Sequence, residues 1–528
     1  MATVAAPRRA LPEIDRRVLD RLNNLPTWVT AGGLLVVVMA ASAYVRSKYI
    51  TGQFWMDEGI STGIASHSLS AIPGVLRHDG SPPLFYFLLH FWIKIFGTSE
   101  AATHGLSLVF GLAMIPLGMW AAWSLFGRRA GLLAAVLFAF SAWVTQYAQE
   151  TRMYELMALL GLLATTGFLH AFVYRRRKYL ILFAVSLALM LYTHGWGIFF
   201  WGGAVLALIP IYRASDDRRR LVRDAALAFG GAVILYLPWV PNLIYQASHT
   251  AAPWDHSPRL GAPVQISRDL IGGDRVTAAL VLAAVIGLAQ LFTRRYRRTR
   301  EATLVWALIV LPAATLVVAW AFSQITPAWV SRYFAPVLAA ILLLAAWGCS
   351  RAGIVGLVAV ALSVIFLVHP SSYTPQYKSD VRDISGELTP LLHKGDLVLV
   401  SQPEQVPLTW YYLPSGLRYA STLGPVSDPR YMNWVDALKR LQHANPQATL
   451  APLLASLKPG QQLLYVRPMT EGAQNWKAPW TLYVRRRSAQ WGSLLATDPS
   501  LKQVAYAPHN YRGACCVADS ALLYKKVS

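Results

Sequence analysis

The stretch LLVVVMAASAYVRSKYITGQFWMDEGIS, residues 34–61, joins a long apolar segment to a pair of adjacent carboxylates. The apolar run covers 27–44, which is long enough to cross a bilayer as one helix. Asp57 and Glu58 follow it at what should be a membrane surface. The stretch therefore predicts a membrane protein that presents two acids at one face of the bilayer.

The composition agrees with a chain that crosses the membrane many times. Of its 528 residues, 55% are hydrophobic and 14% are charged, and the mean hydropathy is +0.39. The net charge of +22 comes from short clusters between apolar segments, namely RRRK at 175–178, DDRRRLVR at 216–223 and TRRYRRTR at 293–300. Basic clusters of this kind mark cytoplasmic loops, so the charge indicates membrane topology and not a nucleic-acid partner.

A topology with about eleven membrane spans places every basic cluster on the cytoplasmic side. They are predicted over 27–44, 103–126, 130–148, 154–173, 179–193, 196–212, 225–241, 276–292, 302–321, 333–348 and 353–369. The basic N-terminus 1–26 is then cytoplasmic and the first extracytoplasmic loop covers 47–102. The AASA at 40–43 resembles a signal-peptidase site, but the apolar run is long for a signal peptide and further spans follow it.

One apolar stretch does not fit this count. PPLFYFLLHFWIKIFG, residues 82–97, is short and carries His90 and Lys94. If it crossed the membrane, Arg128 and Arg129 would lie outside and every later loop would change side. The sequence therefore predicts an interfacial or re-entrant helix here.

The composition changes after His369. Residues 370–528 lack a spanning run and alternate short apolar stretches, such as DLVLV at 396–400, with helical patterns. This predicts one soluble α/β domain on the extracytoplasmic side, after a transmembrane module over 27–369. The three cysteines give no disulfide framework, because Cys349 lies in an apolar run and Cys515 and Cys516 are adjacent.

The predicted topology collects polar residues at the outer ends of the spans. They are Asp57, Glu58, His78, Asp79, Glu150, Arg152, Tyr154, His194, Arg332 and Tyr333. Arginines on this side are not needed for topology; they either pair with nearby acids and lipid phosphates or serve a site. Arginines with tyrosine or histidine donors suit a departing phosphate, and a carboxylate suits the removal of a proton from an acceptor hydroxyl. A sugar on a polyprenyl phosphate needs both.

The segments WMDEGIS, SPPLFYFLLHFWIKIFGTSE, QETRMYELMALL, YTHGWG and VSRYFAP resemble the polyprenyl-phosphate-dependent glycosyltransferases of the C superfamily, GT-C. The likeness covers about 25–370 and is strongest to bacterial relatives of protein O-mannosyltransferases and of the lipid A aminoarabinose and galacturonic acid transferases. It implies the GT-C fold. The DE after the first span and the QE-R-Y after the third are its most specific parts.

The resemblance also implies roles. Asp57, with Glu58 beside it, would act as the catalytic base, and the donor phosphate would lie near Arg152, Tyr154, Arg332 and Tyr333. His194 would join them or serve only to cap a helix, while His78, Asp79 and Glu150 would border the donor or acceptor pocket. Ser81–Pro82–Pro83 stands where aminoarabinose transferases have a lysine before the proline, which argues against their lipid A substrate.

The sequence thus predicts an inverting hexosyl- or pentosyltransferase in a bacterial-type plasma membrane, with its active site outside. Its donor would be a polyprenyl-phosphate sugar and its acceptor a glycan, lipid or protein. A transporter or flippase of lipid-linked sugars is the alternative, although such proteins place charges near the midplane and often show repeats. A receptor acting through 370–528 would leave the Asp57 cluster unexplained.

His67, His78, Asp79 and Glu150 could in principle build a divalent metal site. Their spacing matches no compact ligand pattern, so no cofactor is predicted and a metal is not expected to be required.

Overall fold

The computed structural model describes residues 27–250, 255, 257–290, 299–368, 378–469, 478–509 and 518–528. A helical module comes first and a domain with a six-stranded sheet follows it. The basic N-terminus 1–26, most of the cluster 293–300, the domain boundary at 369/370 and the adjacent cysteines 515 and 516 lie outside the described residues.

The first half of the helical module includes the first loop and the helices on either side of it. Its helices are α1 (Thr27–Ser47), α2 (Met56–Ala65), α3 (Ile72–Asp79), α4 (Leu84–Phe96), α5 (Glu100–Phe126), α6 (Arg128–Ala139), α7 (Ala142–Tyr147), α8 (Tyr154–Phe168, continued by a π-helix to Val173) and α9 (Lys178–Thr193). The second half has α10 (Gly197–Ala214), α11 (Arg218–Tyr236), α12 (Val240–His249), α13 (Ala262–Ile271), α14 (Asp274–Gln290), α15 (Arg300–Ser323), α16 (Ala335–Arg351) and α17 (Ile354–Val368).

Seven helical segments in the described ranges are long and apolar enough to cross a membrane. They cover 29–47, 100–126, 154–173, 197–214, 218–249, 300–323 and 331–351. Each coincides with a predicted span, and the four remaining predicted spans fall on shorter helices. Helix α4 has 13 residues, about 20 Å at ~1.5 Å per residue against a core of about 30 Å. Its non-spanning placement stays a prediction, which this length favours.

The prediction of one helix over 130–148 is wrong in detail. Helix α6 ends at Ala139, and Ser141 begins α7 by accepting a hydrogen bond from the Val144 N–H at 3.4 Å. The break removes the helical hydrogen-bond partners of the last carbonyl groups of α6. Inside an apolar bundle such groups are costly unless side chains satisfy them. Arg46 donates to the Phe138 carbonyl at 2.7 Å, and the Ser42 hydroxyl donates to that of Ala139 at 2.8 Å. Two polar residues of α1 therefore stabilise the break.

The arginine-bearing loops meet at one end of the bundle. The Tyr174 ring lies 5.2 Å from the Arg176 guanidinium and 5.9 Å from that of Arg300. Its hydroxyl donates to the Leu125 carbonyl, close to the loop that holds Arg128. Helix α1 leads from this end towards Asp57. The arrangement fits the predicted alternation of spans, while the side that faces the cytoplasm stays a prediction.

A close contact between α8 and α16 fixes the end of the bundle that carries the acids. A Cβ atom on Gly161 would lie 2.3 Å from the Pro336 carbonyl oxygen, so the two backbones touch only because residue 161 is glycine. Tyr154 starts α8, and Arg332 lies in the 3₁₀ turn that precedes α16. The contact therefore brings these two side chains to the same place.

The C-terminal domain has the predicted α/β architecture. Its strands are β1 (Leu397–Val400), β2 (Arg418–Ser421), β3 (Gly424–Val426), β4 (Gln462–Pro468), β5 (Leu501–Ala507) and β6 (Asp519–Lys526), in the order β3-β2-β1-β4-β6-β5. Its helices are α18 (Val381–Leu388), α19 (Val406–Tyr412), α20 (Ala437–His443), α21 (Pro446–Ala455) and α22 (Pro479–Thr497). Strand β1 pairs in parallel with both β2 and β4. The apolar run 397–400 is buried throughout, as a central parallel strand requires.

The domain docks on the first loop through two glycines of α2. A Cβ on Gly59 would lie 2.7 Å from Leu408 Cα, and one on Gly63 would lie 1.9 Å from the Arg430 carbonyl oxygen. One helical turn separates the two glycines, so they make a flat stripe against the domain backbone.

Polar contacts extend this docking surface. His67 Nε2 lies 2.8 Å from the Asp428 carboxylate, and the Tyr412 hydroxyl accepts from the Phe54 N–H at 2.8 Å. The first loop is thus held between the bundle and the domain.

Candidate active site

A cavity of about 420 Å³ lies where the end of the bundle meets the C-terminal domain. The bundle and its loops contribute Trp55, Met56, Asp57, Ile60, Asp79, Gly80, Ser81, Pro82, Arg152, Met153, His194, Gly195, Trp196, Thr250, Ala328, Arg332 and Tyr333. The domain contributes Gln402, Glu404, Trp434, Trp480 and Thr481. The structure therefore brings six of the predicted site residues to one cavity, namely Asp57, Asp79, Arg152, His194, Arg332 and Tyr333.

Asp57 lies in the first turn of α2 and faces the cavity with 21% of its side chain exposed. The helix N-terminus stabilises a negative charge at this position. Its Oδ2 atom is 3.6 Å from Nη2 of Arg152 and 3.6 Å from Nη2 of Arg332. Both distances are too long for direct hydrogen bonds, so the carboxylate is attracted by the two cations without being saturated by them.

The two guanidinium groups are held by other partners. Arg332 donates from Nε to the Tyr154 hydroxyl at 2.9 Å and lies 5.2 Å from the Trp55 ring. Arg152 donates from Nη1 to the Asp57 carbonyl oxygen at 3.2 Å, and its buried Nε has no hydrogen-bond partner among the described residues. Two cations face one carboxylate at this wall. The excess positive charge and the unused N–H group suit an anion, and a phosphate above all.

Aromatic rings and His194 close this wall. The rings of His194 and Tyr333 are 4.7 Å apart, and those of Trp196 and Tyr333 are 5.1 Å apart. His194 Nδ1 accepts from the Trp196 N–H at 3.1 Å, which leaves the proton of the neutral ring on Nε2. Burial, with Arg152 and Arg332 nearby, lowers the pKa of His194 to about 3. His194 therefore both caps the turn before α10 and offers an uncharged N–H donor.

Asp79 lines the cavity at the end of α3, where Gly80 takes the left-handed conformation with φ of 102°. Burial raises the pKa of Asp79 to about 6, although hydrogen bonding from Ser81 opposes the rise. The side chain of neighbouring His78 is not among the lining residues; its carbonyl accepts from the Trp434 N–H at 2.9 Å. Of this predicted pair, the acid alone faces the cavity.

Glu58 points away from Asp57 into a fully buried network. Its carboxylate lies 2.6 Å from His104 Nε2 and 2.7 Å from Lys378 Nζ, and it accepts from the Thr151 N–H at 2.8 Å. Burial alone would raise the pKa of Glu58, but Lys378 and His104 outweigh it and lower that pKa to about 2. Oε2 also accepts from the Trp55 N–H at 3.2 Å. Glu58 is thus placed to hold the first loop and not to meet a substrate.

Glu150 lies behind the cavity wall. It is 5% exposed and is not among the lining residues. Burial raises its pKa to about 7, with the charge of Lys378 opposing that rise.

Sequence reasoning missed two groups of residues. His104 and Lys378 hold Glu58, and His104 could have been noticed as an ionisable residue in an apolar helix. The wall formed by Gln402, Glu404, Trp434, Trp480 and Thr481 comes from the C-terminal domain. Nothing local in the sequence marks these residues, because folding alone brings them to the cavity. In the described ranges no group of three His, Cys, Asp or Glu side chains could hold a metal ion.

A sequence model of the family described as dolichyl-phosphate-mannose-protein mannosyltransferase matches residues 80–245, which include Arg152, Tyr154 and His194. No curated protein matches the sequence. Residues 80–245 are therefore similar to this mannosyltransferase family, in agreement with the GT-C resemblance that the sequence motifs predict.

The fold is that of solved structures of ArnT from Cupriavidus metallidurans. The apo structure is 15% identical with a TM-score of 0.60, and the alignment covers 93% of this chain and 98% of that one. The structure of ArnT bound to undecaprenyl phosphate is 15% identical with a TM-score of 0.61, covering 94% and 98%.

Proposed function

We propose that this protein is an inverting glycosyltransferase that moves a sugar from a polyprenyl-phosphate donor to an acceptor hydroxyl at the extracytoplasmic membrane face. One observation carries the proposal: Asp57 lies 3.6 Å from each of two arginines inside a cavity at one end of the bundle. A base and a phosphate site therefore share one pocket. The fold likeness to an ArnT structure with bound undecaprenyl phosphate supports the same donor class.

The chemistry follows from these positions. The acceptor oxygen attacks the anomeric carbon while its proton passes to the Asp57 carboxylate. The bond from the anomeric carbon to the phosphate oxygen breaks, and the polyprenyl phosphate leaves with the electron pair. Arg152 and Arg332 stabilise the charge that develops on it, and attack from the opposite face inverts the sugar.

Donor binding and proton transfer are coupled in this scheme. Without a donor phosphate the arginines are attracted to Asp57. A donor phosphate competes for the same guanidinium groups and frees the carboxylate to accept a proton. Glu58, buried behind the wall, accepts from the backbone N–H groups of Trp55 and Thr151 and so holds the loops that carry Asp57 and Arg152.

The test uses purified full-length protein in nanodiscs with undecaprenyl phosphate linked to labelled mannose, aminoarabinose or galacturonic acid, and a membrane extract as acceptor. We expect acceptor-dependent release of undecaprenyl phosphate from at least one donor. Asp57→Asn should lower turnover by about a hundredfold or more with donor affinity nearly unchanged, since an amide cannot take the proton.

Asp216→Asn is the matched control, because Asp216 is exposed and is not among the residues that line the cavity. Near-normal turnover in Asp57→Asn would remove Asp57 as the base. Movement of intact donor across the membrane without release of lipid phosphate would favour a flippase instead.

A further inference from the structure

The domain wall of the cavity contains a carboxylate that the proposed reaction does not use. Glu404 is 5% exposed and lines the cavity. Its Oε1 atom accepts from Trp480 Nε1 at 2.8 Å and from Gln402 Nε2 at 2.9 Å. Its Oε2 atom is buried without a hydrogen-bond partner among the described residues. A buried acceptor left open in this way is costly unless a ligand satisfies it.

The surroundings of Glu404 are suited to a sugar ring. Trp480 and Trp434 lie with ring centroids 5.1 Å apart and both line the cavity. Trp55 lines the same cavity, and its indole N–H is also buried with no partner in the described part of the chain. Apolar faces combined with an open acceptor and an open donor match the mixed surface of a carbohydrate.

The position in the sheet points the same way. Gln402 and Glu404 follow the carboxyl end of β1. The chain leaves β1 for β2 on one side, while β4 pairs on the other side. In sheets with parallel strands, ligands bind where the strand order diverges in this manner.

Glu404 lines the same cavity as Asp57, and its hydrogen-bond partner Gln402 reaches the first turn of α2. Gln402 Nε2 lies 3.8 Å from Met56 Sδ, next to Asp57 in sequence. Burial raises the pKa of Glu404, and the N–H donors of Trp480 and Gln402 oppose that rise. The domain therefore adds a second carboxyl group to the cavity that holds Asp57.

We propose that Glu404, with Trp480 and Gln402, forms the subsite for the glycosyl group of the donor and selects a sugar that presents hydroxyl groups there over a uronic acid. The inference rests on the proposed function. Glu404 Oε2 accepts a hydrogen bond from a sugar hydroxyl, whereas a sugar carboxylate at the same place would meet a like charge in a buried site. The arginines bind the phosphate and the domain binds the sugar.

Three lipids distinguish binding at the arginines from binding at the domain wall. They are undecaprenyl phosphate, its mannosyl form and its galacturonosyl form, with affinities measured on full-length protein in nanodiscs. Wild-type protein should bind the mannosyl lipid more tightly than the galacturonosyl lipid. Glu404→Gln should weaken binding of the mannosyl lipid by about ten- to a hundredfold, the range for a hydrogen bond to a charged group. The affinity for undecaprenyl phosphate should change by no more than about twofold. The difference in affinity between the mannosyl and galacturonosyl lipids should become smaller.

Glu387→Gln is the control, since Glu387 is exposed on α18. If Glu404→Gln does not fold, Trp480→Phe takes its place, because it removes the indole N–H but keeps an aromatic ring. We expect it to lower the affinity for the mannosyl lipid alone, by less than Glu404→Gln would. Equal losses for all three lipids, or none in a folded variant, would overturn the subsite while the proposed function stands. A wild-type protein that binds none of the three lipids would overturn both.

Discussion

Arg332 shows how one side chain serves two partners at the cavity wall. It donates to the Tyr154 hydroxyl and attracts Asp57 at 3.6 Å, and it is 24% exposed. A role in donor binding and a role in the scaffold predict different measurements. The residue is therefore a sharp test of the phosphate site.

Replacing Arg332 should act on the donor. Each charge-assisted hydrogen bond to the phosphate is worth roughly 1.5–3 kcal/mol, so Arg332→Ala should weaken donor binding by about ten- to a hundredfold. Arg332→Lys should recover part of it, because it keeps the charge but loses the forked geometry. Donor affinity and apo melting temperature are measured in the same protein.

The comparison variant is Arg268→Ala, which removes a surface arginine whose partner Asp274 is 77% exposed. A lowered melting temperature with unchanged donor affinity in Arg332→Ala would make Arg332 part of the scaffold. The phosphate would then have lost its main stabiliser.

Asp79 gives a prediction about pH. Its pKa rises from 3.8 to about 6 on folding, chiefly through burial. The folded protein therefore holds this proton more tightly than the unfolded chain, and the contribution to stability falls as pH rises from about 4 to about 6. Above that window the penalty stays constant, on the order of 3 kcal/mol.

Asp79→Asn replaces the carboxyl group with an amide, which does not ionise in this pH range. The variant should match wild type near pH 4 and be more stable from pH 6 upwards, as followed by apo melting at several pH values. Asp216→Asn should show no such divergence. A difference between Asp79→Asn and wild type that does not change with pH would show that Asp79 is ionised throughout.

At the scale of elements, α2 carries both the proposed base, Asp57, and the docking surface. Gly63 permits contact with the Arg430 carbonyl, where a Cβ would lie 1.9 Å away. Lys378 of the domain meets Glu58 of the same helix at 2.7 Å. A change in how the domain sits on α2 should therefore move Asp57 relative to the arginines of the bundle.

Gly63→Ala tests this coupling. The added methyl group meets backbone and cannot be accommodated without a shift of the domain, so we expect destabilisation of about 1–3 kcal/mol and a clear loss of turnover. Gly74→Ala is the matched control, because nothing lies within 4 Å of a Cβ at Gly74. It should be neutral or slightly stabilising. Equal behaviour of the two variants would mean that the docking of the domain does not control the site.

At the scale of the whole molecule, hydropathy and arginine clusters predict the helices well because both signals are local. Each helix that can span the membrane coincides with a predicted segment. The break after Ala139 escaped prediction, since the apolar pattern runs on through it and Arg46 satisfies the freed carbonyls from another helix. The cavity residues Arg152, Arg332, Asp57 and His194 could be predicted by topology and resemblance. Glu404 and Trp480 could not, because only the docked domain brings them there.

The sidedness of the chain is the last prediction, and it concerns every element at once. Cysteines at Thr98, after α4, and at Ser493, on α22 of the domain, should both react with an impermeant thiol reagent added to intact cells. A cysteine at Asp216, in a basic cluster, should react only after permeabilisation. All three positions are exposed. The background needs Cys349, Cys515 and Cys516 replaced, although Cys349 is buried.

The labelling of Thr98 tests whether α4 crosses the bilayer. If the 13 residues of α4 do not cross the bilayer, Thr98 and Asp57 share a side, and the arginine-rich loops share the other. The contact of the Thr98 carbonyl with the Tyr411 hydroxyl of the domain at 2.8 Å requires that Thr98 and Ser493 be labelled together. Labelling of Ser493 with protection of Thr98 would contradict that contact. Labelling of Asp216 alone would invert the molecule and place the Asp57 cavity in the cytoplasm, where nucleotide sugars could serve as donors.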